Sequence, residues 1–279
     1  MNKILMKKKL VSNIFEMEVE AKGIANKARA GQFVVIMVSE KGERIPLTLA
    51  DWSVEKGTIT LVFMVVGTSS LRLSKLEEGD DIFAILGPLG HASDIDDYGT
   101  VIMVAGGVGT APIYPIARSL YEKGNKVISI HGARSKDLLF WKNKLASVSH
   151  EHIITTDDGS FGRKGLVTEP LKELLEADID NKIGRVYSIG PGIMMKFCAL
   201  TTKPFGVKTI VSLNPIMIDG TGMCGACRVC VRGKTKFTCI DGPEFDGHDV
   251  DWNLLTTRQR AYLNEEKCSY DIYQKECED

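Results

Sequence analysis

The chain has 279 residues, more than one hydrophobic core commonly supports, so two or three domains are expected. Hydrophobic residues make up 44% and charged residues 25%, a globular balance rather than a disordered or fibrous one. A formal net charge of −1 gives no electrostatic pull toward nucleic acid or an anionic membrane, and apolar runs such as residues 101–105 are too short to span a bilayer.

Residues 1–10 carry Lys3, Lys7, Lys8 and Lys9 but lack the apolar core of a signal peptide. That lack and an odd count of seven cysteines point to free thiols in a reducing cytoplasm. Up to about residue 97 come short β-patterned runs, at 14–20, 33–38, 47–50, 58–65 and 81–86, which predict a small antiparallel barrel. Within it, Arg44-Ile-Pro-Leu-Thr48 offers a cation and a hydroxyl on one short run. Val65-Val-Gly-Thr-Ser-Ser70 opens a helical stretch at 69–76 and puts small donors where phosphate is favoured. Taken singly, each fits an ordinary strand and an ordinary helix cap equally well.

From Tyr98 strands and helices alternate. Strands are expected at 100–105, 126–131, 152–156, 185–189 and 207–213. Helices are expected at 111–123, 135–147 (with Ser135 as N-cap), 169–177 and 193–201. This pattern builds a doubly wound parallel sheet. After its first strand, Gly106, Gly107, Val108, Gly109 and Thr110 form a turn into a helix, suited to phosphate; Pro112 replaces the third glycine of the usual fingerprint. A purely structural turn is the alternative. Gly190, Pro191 and Gly192 form a second exit of this kind. Arg134 and Lys136, and the pair Asp157-Asp158, follow the second and third strands on the same edge, within reach of an adenosine. The two bases mark a 2′-phosphate or are simply solvated.

Four cysteines crowd the last section, in Asp219-Gly-Thr-Gly-Met-Cys224-Gly-Ala-Cys227-Arg-Val-Cys230 and at Cys239. A plant-type two-iron cluster uses C-x4-C-x2-C and a distant cysteine. Cys224 and Cys227 have the x2 spacing, Asp219 stands at the first position and Cys239 is the distant member. A [2Fe–2S] cluster on Asp219, Cys224, Cys227 and Cys239 is the leading reading, with Cys230 in reserve. Structural zinc is the alternative, although a second C-x2-C knuckle is missing. Aspartate in a glycine-rich turn is also an ordinary turn former. Residues 214–279 are too few to bury a core without a metal staple, and Phe245 and Trp252 are expected to pack this small unit. Cys198 reads as core, Cys268 and Cys277 as tail thiols, and the five histidines form no cluster in sequence.

In this order the motifs resemble the ferredoxin-NADP-reductase superfamily over essentially the whole chain, in the branch of dihydroorotate dehydrogenase electron-transfer subunits and their relatives. The resemblance implies a β-barrel plus α/β architecture. Residues 1–97 would be an antiparallel FAD-binding barrel, 98–213 a doubly wound NAD(P)-binding domain and 214–279 a [2Fe–2S] domain. FAD would be held by Arg44, Pro46, Leu47, Thr48, Val66, Gly67, Thr68 and Ser69. NAD(H) would lie along Gly106–Thr110, Arg134, Asp157 and Gly190, Pro191 and Gly192, stacking its nicotinamide on the flavin without a catalytic acid or base. Single electrons would pass through the cluster to a larger flavoprotein partner with its own FAD and [4Fe–4S] clusters, and through that heterodimer to ferredoxin. The dihydroorotate branch has cysteine at the position of Asp219, and this departure favours the electron-bifurcating relatives that link NADH, ferredoxin and NADP. An electron-transfer subunit of an NAD-linked dihydroorotate dehydrogenase is the runner-up. A zinc-stabilised, non-catalytic nucleotide-binding module is the alternative of a different class, and predicts a colourless protein.

Overall fold

In the computed structural model, which describes residues 2–276, alternating inward apolar positions between residues 4 and 89 build six antiparallel strands. These are β1 (Ile4–Val11), β2 (Ile14–Glu20), β3 (Phe33–Met37), β4 (Arg44–Ser53), β5 (Thr58–Met64) and β6 (Ala84–Leu89), in the order β1-β2-β5-β4-β3-β6. A bridge between Lys3 and Asp81 ties the two edges at one end and leaves the rest of β1 as an edge, so the sheet curls into a barrel around Met17, Val34, Ile36, Leu49, Leu61 and Phe63. Two helices belong to it, α1 (Lys22–Ala25) and α2 (Thr68–Lys75), the latter anchored by Leu73 in the barrel core. Strand β1 has no counterpart in the sequence reading. Lys7, Lys8 and Lys9 mask its alternation, and charge of this kind suits an edge strand, where it discourages pairing with other chains.

The parallel section follows with β7 (Thr100–Gly106), α3 (Thr110–Glu122), β8 (Lys126–Ala133), α4 (Lys142–Ala146), β9 (Glu151–Thr156), β10 (Arg163–Lys164), α5 (Thr168–Glu176), β11 (Ile183–Ile189), α6 (Gly192–Thr202) and β12 (Thr209–Ser212). Their order, β10-β9-β8-β7-β11-β12, reverses direction between β7 and β11. Helix α3 packs on one face beside Met103 and Tyr187, with Trp52 of the barrel against the same cluster. Leu171 of α5 and Cys198 of α6 cover the other face. The single helix expected over 135–147 is broken: a short turn at Lys136–Leu138 precedes the five-residue α4, with Trp141 at φ 53° between them. Burial of Leu139 and Phe140 overrides helical propensity there, and the Trp141 indole turns to donate to Glu16 of the barrel at 3.1 Å.

The last section contributes β13 (Arg228–Val231), β14 (Lys234–Phe237), α7 (Thr238–Asp241), β15 (Glu244–Asp246), α8 (Trp252–Gln259) and α9 (Leu263–Glu276). β13 and β14 form a hairpin, whereas β15 pairs antiparallel with β12 as the seventh strand of the parallel section's sheet. Val229, Trp252 and Leu255 bury against Met195 and Ala199 of α6 and Val211 of β12. Phe245 packs at the same cluster, so both expected aromatics bind this section to its neighbour rather than fill a separate core. Cys277 lies outside the described residues. No helix among those described is long and apolar enough to cross a membrane.

Candidate functional site

The two glycine-rich exits predicted for nucleotide lie side by side, because β7 and β11 are adjacent parallel strands in register at Ala105 and Ile189. Their backbones touch: a Cβ on Gly109 would collide with the Ile189 carbonyl, so the approach requires glycine. This is the point where the strand order reverses, the usual place for a crevice beyond the strand ends. Gly107 and Val108 are half-exposed there, as are Gly190 and Gly192, while Pro191 is exposed. Thr110 is different. Its side chain is fully buried and lies 2.9 Å from Nε2 of His131 on β8, so it holds α3 to the sheet instead of facing the crevice. Arg134 and Asp157 are both exposed on the same edge, where the Asp157 N–H reaches the Ala133 carbonyl and the Asp158 N–H the Arg134 carbonyl.

In the barrel, Arg44, Pro46 and Thr48 share one face of β4, and Leu47 turns inward to the core. The first half of β4 pairs with β3 alone, since its pairing with β5 starts at Leu49. The second barrel motif comes close to this strand: Ser69 Oγ donates to Glu43, next to Arg44, at 2.7 Å. Val66 is 73% exposed, and its N–H and that of Gly67 both donate to Ser70 Oγ, which leaves Thr68 and Ser69 to open α2 toward solvent. The Thr68 hydroxyl meets Ser269 of α9 at 2.9 Å.

The cysteine loop is pinned at its start by Asp219, whose carboxylate accepts the N–H groups of Thr221 and Cys224, both at 2.7 Å. These two bonds, the Thr221 one foremost, hold the Asp219 carboxyl below the usual range. Cys227 and Cys239 are buried with their sulfurs 3.2 Å apart, while Cys224 is exposed. Burial, reinforced by Cys227, pushes the Cys239 thiol up to about 12. Cys230 stands apart on β13, opposite Thr235. Among the described residues no three cysteine, histidine, aspartate or glutamate side chains gather as ligands of one metal ion. Of the four predicted donors, Cys227 and Cys239 meet through their sulfurs, whereas Asp219 holds Cys224 through its backbone N–H.

Two of the motifs meet at β3, the cysteine loop and the Arg44–Thr48 run. Phe33 and Val35 pack on Cys227, Cys239 and Met217 on the outside of the barrel. Those two residues sit opposite Thr48 and Pro46 in the β3–β4 register, so the cysteine loop and the Arg44–Thr48 run share one sheet face. Gly220 makes the contact close, since a Cβ there would fall 2.7 Å from Val35 Cγ2. From the other side α3 packs on β4 through a charged clamp. Asp51 bonds Arg118 at 2.7 Å and Lys144 at 2.9 Å, with the two cations also over the rings of Trp52, Tyr114 and Trp141.

Sequence reasoning passed over His131, the Asp51 clamp and α9. His131 and His152 lie tilted against each other, 5.9 Å between ring centroids, because β8 and β9 are parallel neighbours, and no sequence spacing signals that. The clamp joins residues 67 and 93 positions apart and likewise carries no local signature.

Residues 214–251 match the iron-sulfur cluster binding domain of dihydroorotate dehydrogenase B, and residues 103–199 the oxidoreductase NAD-binding domain. The chain is 47% identical over 275 residues to a dihydroorotate dehydrogenase B (NAD(+)) electron transfer subunit homolog of Thermotoga maritima, covering 99% of this chain and 96% of that one. It is 35% identical over 246 residues to the dihydroorotate dehydrogenase B (NAD(+)) electron transfer subunit of Clostridium perfringens, across 87% and 94% of the two chains. A chain from the solved structure of an NADH-dependent reduced ferredoxin-NADP oxidoreductase, studied for flavin-based electron bifurcation, superposes with a TM-score of 0.92. That pair is 47% identical, and the match covers 98% of each chain.

Proposed function

The chain belongs to the family of dihydroorotate dehydrogenase B electron-transfer subunits, and from that premise we propose that it exchanges hydride with NAD(H) at a bound FAD and single electrons with a larger flavoprotein through a [2Fe–2S] cluster. The observation that carries the reading is the packing at β3: the cysteine loop and the Arg44–Thr48 run lie on one face of the barrel, and the paired glycine exits open at the switch point of the adjoining sheet.

The residues present fit the groups this requires. Two buried thiols 3.2 Å apart and a glycine-rich loop in which Asp219 holds the backbone of Cys224 supply donors of the kind a two-iron cluster takes, and no three of the described donors gather on one metal as zinc would need. Arg44 is an exposed cation beside the first turn of α2, so it and the Thr68 and Ser69 N–H groups would hold a pyrophosphate. Thr48 and Pro46 would flank the flavin ring. A flavin supplies the step between a two-electron hydride carrier and a one-electron cluster. The protein's part is placement: Gly107 and Gly190 let a dinucleotide approach the strand ends, and the Asp51 clamp fixes how the sheet meets the barrel.

The similarity to the NADH-dependent reduced ferredoxin-NADP oxidoreductase favours an electron-bifurcating heterodimer, whose partner would hold its own FAD and [4Fe–4S] clusters and so connect this subunit to ferredoxin. Anaerobic visible and EPR spectra with iron, zinc and flavin assays test the subunit itself. Bound FAD and about two irons per chain, with an EPR signal that develops on reduction, are expected. A colourless, iron-free, zinc-containing chain from an anaerobic preparation would sink the reading.

A further inference from the structure

Helix α9 lies across the outside of α2 and leaves between them a cleft of about 460 Å³, lined by Thr68, Arg72, Glu265, Cys268, Ser269, Ile272 and Tyr273. That volume falls in the range of small-molecule sites. Three features set its chemistry. Tyr273 is half-buried and held as a fixed wall, with the Arg72 guanidinium 4.6 Å and the Lys75 ammonium 5.1 Å from its ring centre. Thr68 and Ser269 fasten the two helices at one end through their hydroxyls, 2.9 Å apart. Glu265 offers a carboxylate and Ile272 an apolar surface. An aromatic wall, an apolar side chain and a hydroxyl-accepting carboxylate suit a flat, uncharged heterocycle on an unphosphorylated sugar.

We propose that this cleft takes the adenosine end of the flavin dinucleotide, with Tyr273 stacking on the adenine and Glu265 accepting from the ribose. The inference rests on the flavin reading above and deepens it. Thr68 belongs both to the turn expected to hold the pyrophosphate and to the wall of the cleft, so a dinucleotide bound at that turn continues directly into it. α9 is then part of the flavin site, and the chain distinguishes FAD from FMN by the half that FMN lacks.

The test titrates the flavin-depleted full-length chain with FAD and with FMN, following flavin fluorescence. Tyr273→Ala should weaken FAD about tenfold, the scale of one lost base stack, and leave FMN binding unchanged. Tyr273→Phe should retain wild-type affinity for both. In the wild-type chain, FAD but not FMN should protect the exposed Cys268 from alkylation, read at the peptide level. Equal loss of FAD and FMN in Tyr273→Ala, no loss of either, or unprotected Cys268 would overturn the proposal while leaving flavin binding intact. A wild-type chain that binds neither flavin would overturn the functional reading, and this inference with it.

Discussion

Thr110 and His131 share a hydrogen bond of 2.9 Å at a position where neither side chain meets solvent. It ties the first residue of α3, the last of the turn expected to carry the nucleotide phosphates, to the middle of the sheet. Replacing His131 with leucine leaves a buried hydroxyl without a partner, which costs about 1–3 kcal/mol. Thermal melts should show the loss, and the Michaelis constant for NADH should rise as the start of α3 loosens. His131→Gln, which keeps a polar partner, should recover most of both. An unchanged melting temperature in His131→Leu would refute the link.

The same histidine gives stability a pH dependence. Burial, with smaller help from His152 and Lys142, pushes its pKa down to about 3 from an ordinary 6.5. Above about 6.5 neither folded nor unfolded chain carries the proton, and stability is complete. As pH falls from there toward 3, the unfolded chain takes up a proton that the folded one refuses, so stability declines at up to about 1.4 kcal/mol per pH unit. Melting temperatures measured from pH 7.5 to 5 should therefore fall more steeply in the wild type than in His131→Gln. Parallel curves would contradict this.

Asp51 is the only carboxylate bonded to both Arg118 and Lys144 among the described residues, and its side chain is 20% exposed. Desolvation raises its pKa, but the bonds and charges of Lys144 and Arg118 outweigh that and hold it below the ordinary value. Asp51→Asn leaves two cations facing a neutral amide. After allowance for partial solvent screening, the cost should be about 1–2 kcal/mol. Because the clamp joins barrel to sheet, the variant should also slow NADH-dependent reduction of bound flavin. A stopped-flow rate equal to wild type would show that the clamp does not set the relation of the two units.

Iron content separates the candidate cluster ligands. Cys239→Ala removes half of the buried thiol pair and should bring iron close to zero. Cys230→Ala alters a residue held in the β13–β14 ladder and should retain about two irons per chain. Asp219→Cys should keep the iron and change the EPR spectrum, since a soft thiolate replaces a harder carboxylate. Iron lost from Cys230→Ala and kept in Asp219→Ala would reassign the fourth ligand.

The barrel, the parallel sheet and the loop holding the cysteines were legible because each has a local signature: period-two alternation, apolar strands between helices, and cysteines spaced among glycines. What escaped depends on contacts between distant residues. Lysines hid β1 because an edge strand tolerates charge. The helix over 135–147 failed because Phe140 and Trp141 had partners on the barrel that composition does not reveal. The glycine motif alone places Thr110 at the crevice, yet its buried hydroxyl meets a histidine on the next strand. Leu47 lies in the expected strand, but alternation directs its side chain into the barrel. The proximity of the cysteine loop to the Arg44–Thr48 run needed the β3–β4 register, which no motif encodes.

The pairing of β15 with β12 bears on how the molecule is made. A ribosome delivers β7 to β12 first, and until residues 244–246 emerge the β12 edge stands open, the kind of surface that recruits stray strands. The cysteine loop is strung between those two strands, so both of its ends are anchored in one sheet once the late strand docks. The segment made last thus covers an edge of the sheet made before it, and the cysteines lie in the loop that spans the two.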